Sequence, residues 1–258
     1  MNIGIDARPL VAPKASGIGT YLVAIISHLK INPENKYFLY TNEPIQNDSI
    51  DLSLFEQRII DGKIGTLAVS FGLKKQLLKD KVDIFWGTEH MLPLNIKGIK
   101  LILTVHDLGL MIQPRWGTMK NAIMQNVFCR LACYRADYII AISKATKNDL
   151  VHLLRINPDK ISAILLGGGK SNNLMIEENK IENIEEKFGI KDRKYFLYLG
   201  TLEPRKNIVG IIDAFEKFCA TRGENYKLVL AGKMGWGAKN INERINKCLF
   251  RNLIVLTG

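Results

Sequence analysis

Hydrophobic and polar positions along the chain follow two alternating periods, one typical of buried strands and one typical of amphipathic helices. Short apolar runs predict strands at 2–5, 37–41, 83–86, 100–105, 138–142, 161–166, 195–199, 227–231 and 253–257. Apolar residues at helical spacing predict helices at 18–29, 66–79, 120–135, 144–154, 208–220 and 238–249. Ser143 is the predicted N-cap of the helix that follows it. This order indicates an α/β protein with parallel sheets covered on both faces.

A polar stretch divides this pattern into two domains. From Lys170 to Glu186 the composition changes to Asn, Glu and Lys, which is typical of a linker or a solvated helix. We therefore predict an N-terminal domain at 1–170 and a C-terminal domain at 171–258. The second has three predicted strands, and nothing covers the last of them, so we expect this domain to be incomplete.

Composition and charge narrow the class of protein and of partner. With 258 residues, 47% hydrophobic and 24% charged, the chain is predicted to fold around a real core. It has no apolar run of roughly 18 residues and no signal-peptide pattern, so we expect a cytoplasmic protein. The net charge of +11 favours an anionic partner, either a phosphorylated small molecule or an acidic lipid surface. Nucleic acid is disfavoured because the basic residues are dispersed, without interleaved aromatic residues.

The cysteines do not predict disulfides or structural zinc. Cys129, Cys133, Cys219 and Cys248 are spread thinly and form no CxxC pair. Cys129 and Cys133, four apart on a predicted helix, could make half a metal site, but buried thiols are the simpler interpretation. The chain also lacks an Asp-x-Asp pair and an HExxH motif, so no metal is expected.

Two loops that open helices are candidates for phosphate binding. The segment 16–20, with Gly17 and Gly19, places backbone amides at a helix start. It is not a dinucleotide fingerprint, because Leu22 stands where the third glycine would fall, and plain loop flexibility remains an alternative. The segment 167–171 ends like a P-loop, but Ile164 stands where that motif needs glycine.

Two further loops follow predicted strands and carry ionisable residues. His106 and Asp107 lie at the carboxyl end of an apolar strand, where ligands bind in doubly wound sheets. We expect His106 to touch substrate, with capping of the next turn as the alternative for Asp107. In the segment 200–207, Arg205 and Lys206 stand at a helix entrance and suit a diphosphate, although a solvated basic loop is the alternative.

Taken together, segments spread over nearly the whole chain resemble family 4 glycosyltransferases of the GT-B architecture. They are Asp6-Ala7-Arg8 with Gly17-Ile18-Gly19, Thr104-Val105-His106-Asp107-Leu108, Ala136-Asp137 to Ala141-Ile142-Ser143, Tyr198-Leu199-Gly200-Thr201 through Pro204-Arg205-Lys206-Asn207, and Leu228-Val229-Leu230-Ala231-Gly232. The resemblance implies two Rossmann-like domains with parallel sheets facing across a cleft. It also implies a nucleotide sugar held mostly by the second domain, an acceptor held mostly by the first, and transfer that retains anomeric configuration without a metal.

The resemblance also implies roles for individual residues. Arg205 and Lys206 are expected to neutralise the donor diphosphate and assist its departure as catalytic groups. His106 is expected to be catalytic beside the transferred sugar or the acceptor hydroxyl. The remaining donor-binding positions implied by the motifs are Gly17, Gly19, Asp107, Gly200, Gly232 and Lys233.

The motif Glu203-Pro204-Arg205-Lys206-Asn207 resembles the branch that includes mannosyltransferases of surface polysaccharides. The expected donor substrate is therefore a nucleoside-diphosphate mannose, GDP-mannose in the first place, with glucose or another hexose next and no separate cofactor. The expected acceptor is a glycan or a lipid-linked glycan, and the basic balance fits peripheral attachment to an acidic membrane. The family pattern continues past a strand like 253–257 with a glutamate-bearing motif that this sequence lacks. This difference keeps a non-catalytic binding module open as an alternative. A sugar-nucleotide epimerase of the same architecture is the other alternative.

Overall fold

The computed structural model describes residues 1–11, 17–60, 65–167, 178–191 and 193–258, without the side chains of 65–71, 178 and 179. Two compact units make up the chain. The first comprises Met1–Arg115 and Met119–Gly167, and the second comprises Trp116–Thr118 and Gly168–Gly258. The predicted boundary between 170 and 171 falls within 168–177, outside the described residues.

The first unit is built on a sheet of seven parallel strands in the described part of the chain. They are β1 (Asn2–Asp6), β2 (Lys36–Thr41), β3 (Glu56–Ile59), β4 (Ile84–Gly87), β5 (Lys100–Val105), β6 (Tyr138–Ala141) and β7 (Ile161–Ala163). Their order is β3-β2-β1-β4-β5-β6-β7, so the strand order reverses between β1 and β4. Ligands of open α/β sheets bind beyond the carboxyl ends of strands at such a reversal, which directs attention to the residues after β1, β4 and β5.

Helices connect these strands, mostly where the sequence predicts them. They are α1 (Gly17–Ile26), α2 (Gly65–Lys79), α3 (Gly109–Ile112), α4 (Met119–Ile123), a π-helical segment (Met124–Cys129), α5 (Arg130–Arg135) and α6 (Lys144–Leu154). The predicted helix at 120–135 thus contains a wider π-helical turn. The N-cap is confirmed, since Oγ of Ser143 accepts a 3.0 Å hydrogen bond from the backbone N–H of Thr146.

Two strands differ from the prediction. β3 was not predicted, because Glu56–Ile59 has no apolar run. Within the described residues it is an edge strand that pairs with β2 alone, and Arg58 binds Asp80 at 3.2 Å. β7 ends at Ala163, whereas the apolar run predicts a strand to 166; residues 164–166 are exposed.

A hydrophobic cluster lies on each face of the first sheet, because neighbouring residues of a strand point to opposite faces. Phe38 and Tyr40 of β2 belong to one cluster together with Phe85. Leu39, between them, belongs to the other cluster together with Leu22 of α1. The prediction of a parallel sheet covered on both faces is confirmed for this unit.

The second unit contains a three-stranded parallel sheet in its described residues, with the order β10-β9-β8. Its elements are α7 (Glu178–Lys187), β8 (Lys194–Leu199), α8 (Ile208–Arg222), β9 (Tyr226–Ala231), α9 (Ala238–Lys247) and β10 (Ile254–Leu256). Leu228 and Leu230 of β9 pack with Ile212 of α8 and Ile241 of α9 in one core. Among the described residues, no helix has the length and apolar character needed to cross a membrane.

Candidate active site

The loop after β1 carries a buried ion pair. Asp6 is 1% exposed, and both oxygens of its carboxylate accept hydrogen bonds from Arg8. The distances are 2.8 Å from Nε to Oδ1 and 2.6 Å from Nη2 to Oδ2. The charge of Asp6 is the main reason why the pKa of Arg8 is raised above its ordinary value. Such a two-pronged pair is the strong form of an arginine–carboxylate contact, and it fixes the chain that leaves β1.

Glu89 adds a second carboxyl group beside this pair. It lies two residues after the end of β4, and its side chain is half-buried. Burial raises the pKa of Glu89, the charge of Asp6 raises it further, and the charge of Arg8 opposes both. The loops after β1 and β4 therefore place two carboxyl groups and one guanidinium group together at the reversal of strand order.

Thr88 connects the end of β1 to His106. Its hydroxyl donates to the carbonyl oxygen of Asp6 at 2.6 Å, and its own carbonyl oxygen lies 3.0 Å from Nε2 of His106. Because a carbonyl oxygen only accepts, Nε2 of His106 carries a hydrogen, and in the neutral ring Nδ1 carries the lone pair. The pKa of His106 is lowered, mainly by burial. The lowered pKa favours the neutral ring near pH 7.

Neighbouring elements also hold the ring and backbone of His106. The rings of Tyr21 and His90 meet it edge-on, with centroid distances of 5.3 Å and 5.9 Å. Oγ1 of Thr146, in the first turn of α6, donates to the carbonyl oxygen of His106 at 3.1 Å. The first unit therefore provides a neutral imidazole in one tautomer, whose Nδ1 can accept a hydrogen bond from a hydroxyl group.

Asp107 lies in the turn that leads into α3. Its Oδ1 accepts a 2.9 Å hydrogen bond from the N–H of Gly109, the capping contact that was the alternative to a binding role. Gln125, which is 6% exposed, donates from Nε2 to the carbonyl oxygen of Asp107 at 3.0 Å. Its Oε1 accepts from the backbone N–H groups of Leu110 and Met111 at 2.7 Å and 3.1 Å. Gln125 thus positions the loop after β5.

The glycines of the first candidate phosphate loop lie at the start of α1. The helix begins at Gly17, which is exposed, and Gly19 is buried. Ser16 lies outside the described residues. Contact of Gly17 and Gly19 with a diphosphate stays a prediction.

The paired thiols are a feature of the core near His90. Sγ of Cys129 lies 4.0 Å from Sγ of Cys133 and 3.9 Å from Nδ1 of His90. The contact with Cys133 and burial raise the pKa of the Cys129 thiol, so it stays protonated. Among the described residues, no group of three or more His, Cys, Asp or Glu is placed to hold a metal. Both thiols are buried, as expected of core cysteines.

In the second unit, backbone hydrogen bonds join the loops that follow β8 and β9. The N–H of Gly200 donates to the carbonyl oxygen of Ala231 at 2.8 Å, and that of Leu202 donates to the carbonyl oxygen of Lys233 at 3.0 Å. Glycine is required where the loops meet. Gly200 and Gly232 have φ angles of 146° and 142°, and a Cβ on Gly232 would lie 2.1 Å from the carbonyl oxygen of Gly200. Gly200, Gly232 and Lys233 are therefore neighbours.

Arg205 and Lys206 lie in a 3-10 turn, Pro204–Lys206, which precedes α8. Nε of Arg205 donates to Oε1 of Glu203 at 3.1 Å, the one hydrogen bond that the described residues give this guanidinium. The side chain of Arg205 is 42% exposed, and those of Lys206 and Lys233 are also exposed. The joined loops thus carry three exposed cationic side chains, a residue type that suits phosphate oxygens.

The residues singled out from the sequence therefore form two groups, one in each unit. His106, Asp107, Gly17 and Gly19 belong to the first unit, and Gly200, Arg205, Lys206, Gly232 and Lys233 belong to the second. Sequence reasoning missed Thr88, Glu89 and Gln125 and used Asp6 and Arg8 only as part of a motif. Charged residues at or just beyond the carboxyl ends of apolar strands were the signal that could have found Asp6 and Glu89.

Two family models match the chain. Residues 37–167, about half of the chain, match the model described as Glycosyltransferase Family 4, and residues 180–258 match the model described as Glycosyl transferases group 1.

Curated relatives of the chain include two mannosyltransferases of Escherichia coli. O-antigen chain mannosyltransferase B is 24% identical over 160 residues, which are 62% of this chain and 41% of that protein. The serotype-specific mannosyltransferase WbdA is 30% identical over 101 residues, which are 39% of this chain and 12% of that protein. The chain thus spans less than half the length of these relatives.

Solved structures share the fold. Alr3699/HepE of Anabaena, in complex with UDP and glucose, has a TM-score of 0.64 at 15% identity, over 100% of this chain and 68% of that one. WaaG, a glycosyltransferase involved in lipopolysaccharide biosynthesis, has a TM-score of 0.67 at 14% identity, over 100% and 70%. The UDP-GlcNAc 2-epimerase from Neisseria meningitidis has a TM-score of 0.52 at 14% identity, over 99% and 72%. At these identities the likeness shows the fold alone, and it confirms the predicted GT-B type.

Proposed function

The chain belongs to glycosyltransferase family 4, and from this premise we propose that it transfers a hexosyl group from a nucleoside-diphosphate sugar to a glycan or lipid-linked acceptor. The two curated relatives described above are mannosyltransferases, one of them of an O-antigen chain. Their names support a place in polysaccharide biosynthesis, and we propose that the transfer retains anomeric configuration and proceeds without a metal.

The observation that carries this proposal is the joined loop pair of the second unit. One N–H of Arg205 binds Glu203, which leaves the terminal nitrogens for a ligand, and Lys206 adds a second exposed charge. A departing nucleoside diphosphate gains negative charge as the glycosidic bond breaks. Cations placed beside its oxygens stabilise that charge more in the transition state than in the ground state.

We propose mannose as the transferred sugar and GDP-mannose as the first donor to test. Support comes from the mannosyltransferase relatives and from the segment 203–207. Against it stands the fold neighbour HepE, whose structure contains UDP and glucose, so UDP-glucose is the second donor to test.

In the first unit, we propose that His106 contacts the transferred sugar or the acceptor hydroxyl. The hydrogen bond from Nε2 to Thr88 leaves the Nδ1 lone pair as the acceptor on the neutral ring. A hydroxyl group that donates to Nδ1 would be oriented, and its oxygen made more electron-rich, without a formal charge on the ring.

Calorimetric titration with GDP, UDP and ADP, each alone and with mannose or glucose attached, tests the donor site. We expect one nucleotide series to bind, and we expect Arg205→Ala/Lys206→Ala to weaken that binding roughly tenfold or more, since charge-assisted hydrogen bonds are lost. The matched control is Lys217→Ala/Lys247→Ala, which removes two exposed cations from α8 and α9 of the same unit. Equal losses in both double variants would reduce the effect to net charge and contradict the proposed site.

Product analysis separates transfer from the two alternatives. A transferase consumes the donor only when acceptor is present and yields a glycoside. An epimerase, like the fold neighbour from Neisseria meningitidis, converts the donor without acceptor. A binding module binds the donor without turnover. Incubation of the bound donor with and without mannosylated acceptor glycans, followed by NMR, distinguishes these three outcomes.

We also propose that the protein works at the inner face of the membrane as a peripheral protein. The net charge of +11 supports attraction to anionic lipids, among which a lipid-linked acceptor would reside. Co-sedimentation with anionic vesicles at low salt tests this attachment.

A further inference from the structure

The connection between β5 and β6 carries an unusual surface. Along α4, the π-helical segment and α5, large apolar side chains are exposed at a spacing of four residues and then three. They are Met119 (81% exposed), Ile123 (53%), Val127 (46%), Leu131 (45%) and Tyr134 (51%), called here the apolar stripe. A contiguous exposed patch of this kind indicates an interaction surface, unlike single exposed apolar residues.

The helix geometry keeps the apolar stripe straight. In an α-helix with 3.6 residues per turn, residues four apart are displaced around the helix axis by roughly 40° at each step. In the wider turn of the π-helical segment, residues four apart are displaced in the opposite direction, which brings the stripe back to the same side of the helix. On the other face of the same helices, Ala122, Cys129 and Cys133 are buried in the core. The segment therefore has two apolar faces, one packed in the core and one turned to solvent.

The charged residues of the segment that carries the apolar stripe are all basic. Between Asp107 and Asp137 the sequence contains no acidic residue. The basic residues in this interval are Arg115, Lys120, Arg130 and Arg135. Lys120 and Arg130 are exposed and directly adjoin stripe residues in sequence. Exposed apolar side chains on a segment whose charged residues are all basic are the pattern of helices that lie in the interface of an anionic bilayer.

We propose that the apolar stripe is the surface by which this protein docks on an anionic lipid bilayer. Its apolar side chains enter the boundary of headgroups and acyl chains, and Lys120 and Arg130 contact lipid phosphates. This inference deepens the proposed peripheral attachment and rests on it, because it gives the attachment a location. The same connection carries Gln125, which holds the loop of His106 and Asp107, so docking would place a lipid-linked acceptor near that loop.

Sedimentation with phosphatidylcholine vesicles, with and without phosphatidylglycerol, tests the surface. We expect Ile123→Gln/Leu131→Gln to lower partitioning onto the anionic vesicles roughly tenfold or more, since it withdraws two apolar side chains without a change in charge. We expect Lys120→Gln/Arg130→Gln to lower it by a similar factor at low salt and to flatten the dependence on salt.

Matched controls carry the same substitutions elsewhere on the first unit. Leu54→Gln/Leu78→Gln changes two leucines that are 50% and 52% exposed, and Lys36→Gln/Lys97→Gln changes two exposed lysines. Controls that bind like the parent, while both stripe variants lose binding, support the proposal. Equal loss in stripe variants and controls, or no loss in the stripe variants, overturns it.

Folding, nucleotide binding and self-association are measured on the same samples. Circular dichroism and thermal unfolding show whether the variants remain folded, and calorimetry shows whether they still bind nucleotide. Lost vesicle binding with nucleotide binding intact supports the proposal, whereas a parent that binds vesicles and no nucleotide contradicts the donor site alone. If the stripe variants instead lower the mass found by analytical ultracentrifugation, with vesicle binding unchanged, the stripe joins copies of the chain and the proposal is wrong.

Discussion

Each unit has an arginine that binds an acidic side chain two residues before it, and the two pairs differ in what they leave available. In the first unit, Arg8 contacts Asp6 through two nitrogens, and the side chain of Asp6 is 2% exposed. In the second unit, Arg205 contacts Glu203 through Nε alone, and its side chain is 42% exposed. The first pair is part of the framework, whereas the second leaves most of a guanidinium group for an anion.

The difference extends to the loops around each pair. Side chains hold the first set of loops, as the contacts of Thr88 and Gln125 show. Backbone hydrogen bonds and glycines hold the second set, as at Gly200 and Gly232. A loop held by its backbone keeps its side chains available for ligand, while a loop held by side chains can fix one group, here His106, in a single orientation.

The largest effect on stability is expected from Arg8→Ala. Removal of the guanidinium takes the opposite charge and both side-chain hydrogen bonds away from the buried carboxylate of Asp6, which should lower the free energy of unfolding by about 4 kcal/mol. Arg205→Ala is the matched control, and it should change the free energy by about 1 kcal/mol or less, because the side chain of Arg205 is 42% exposed and contacts Glu203 through one nitrogen. Urea unfolding of both variants at neutral pH measures the contrast. Equal losses of unfolding free energy would mean that the two ion pairs contribute equally to stability, and would contradict the contrast.

The next largest effect is expected from Gly232→Ala. The added Cβ would meet the carbonyl oxygen of Gly200, and the φ angle of 142° strains any residue but glycine. We expect a loss of about 3 kcal/mol, of which strain alone accounts for about 1 kcal/mol. Gly223→Ala, with a φ of 84° and open space around it, should show the strain without the close contact. Thermal unfolding that ranks the two variants equally would contradict the backbone contact.

A smaller effect is expected from Gln125→Ala. The substitution removes the side-chain partner of the backbone N–H of Leu110 and of the carbonyl oxygen of Asp107, whereas the N–H of Met111 keeps its hydrogen bond to the carbonyl oxygen of Leu108; the loss should cost about 2 kcal/mol. Asn126→Ala, at the neighbouring half-buried amide, should cost about half as much. Both costs are read from urea unfolding. If Asn126→Ala were the more damaging change, Gln125 would not be what holds the loop.

The strands and helices were largely predictable because burial imposes a period on the sequence. β5 and α6 match their predicted bounds, since both have clear apolar faces. β3 was not predictable, because an edge strand with polar side chains has no such period, and its position comes from pairing with β2. The π-helical segment was likewise not predicted, because apolar residues continue through it without interruption.

The site was predictable only in part, for a related reason. His106 and Arg205 follow apolar strands and carry chemistry that attracts attention, so position and residue type sufficed. Thr88 acts largely through its backbone carbonyl, which any residue possesses. Gln125 was detectable in principle as a polar residue on a buried helix face, where it must find hydrogen-bond partners.

The smallest effect concerns the charge state of His106. Burial lowers the pKa of His106 in the folded protein below the 6.5 expected of the unfolded chain. At a pH between the folded and the unfolded pKa, the unfolded chain therefore binds more protons than the folded protein. Stability should therefore decrease as the pH falls below about 6.5, with a slope for this group of at most about 1.4 kcal/mol per pH unit. The variant His106→Gln lacks this contribution, so the difference in unfolding free energy between parent and variant should be constant above about pH 7.5 and change below about 6.5. Nitrogen-15 NMR of the ring gives an independent test, since we expect the hydrogen on Nε2 at neutral pH. A hydrogen on Nδ1, or titration above about 6.5, would show that Thr88 and burial do not set the tautomer and charge of this ring. The first unit would then not differ from the second in holding one side chain in a fixed orientation.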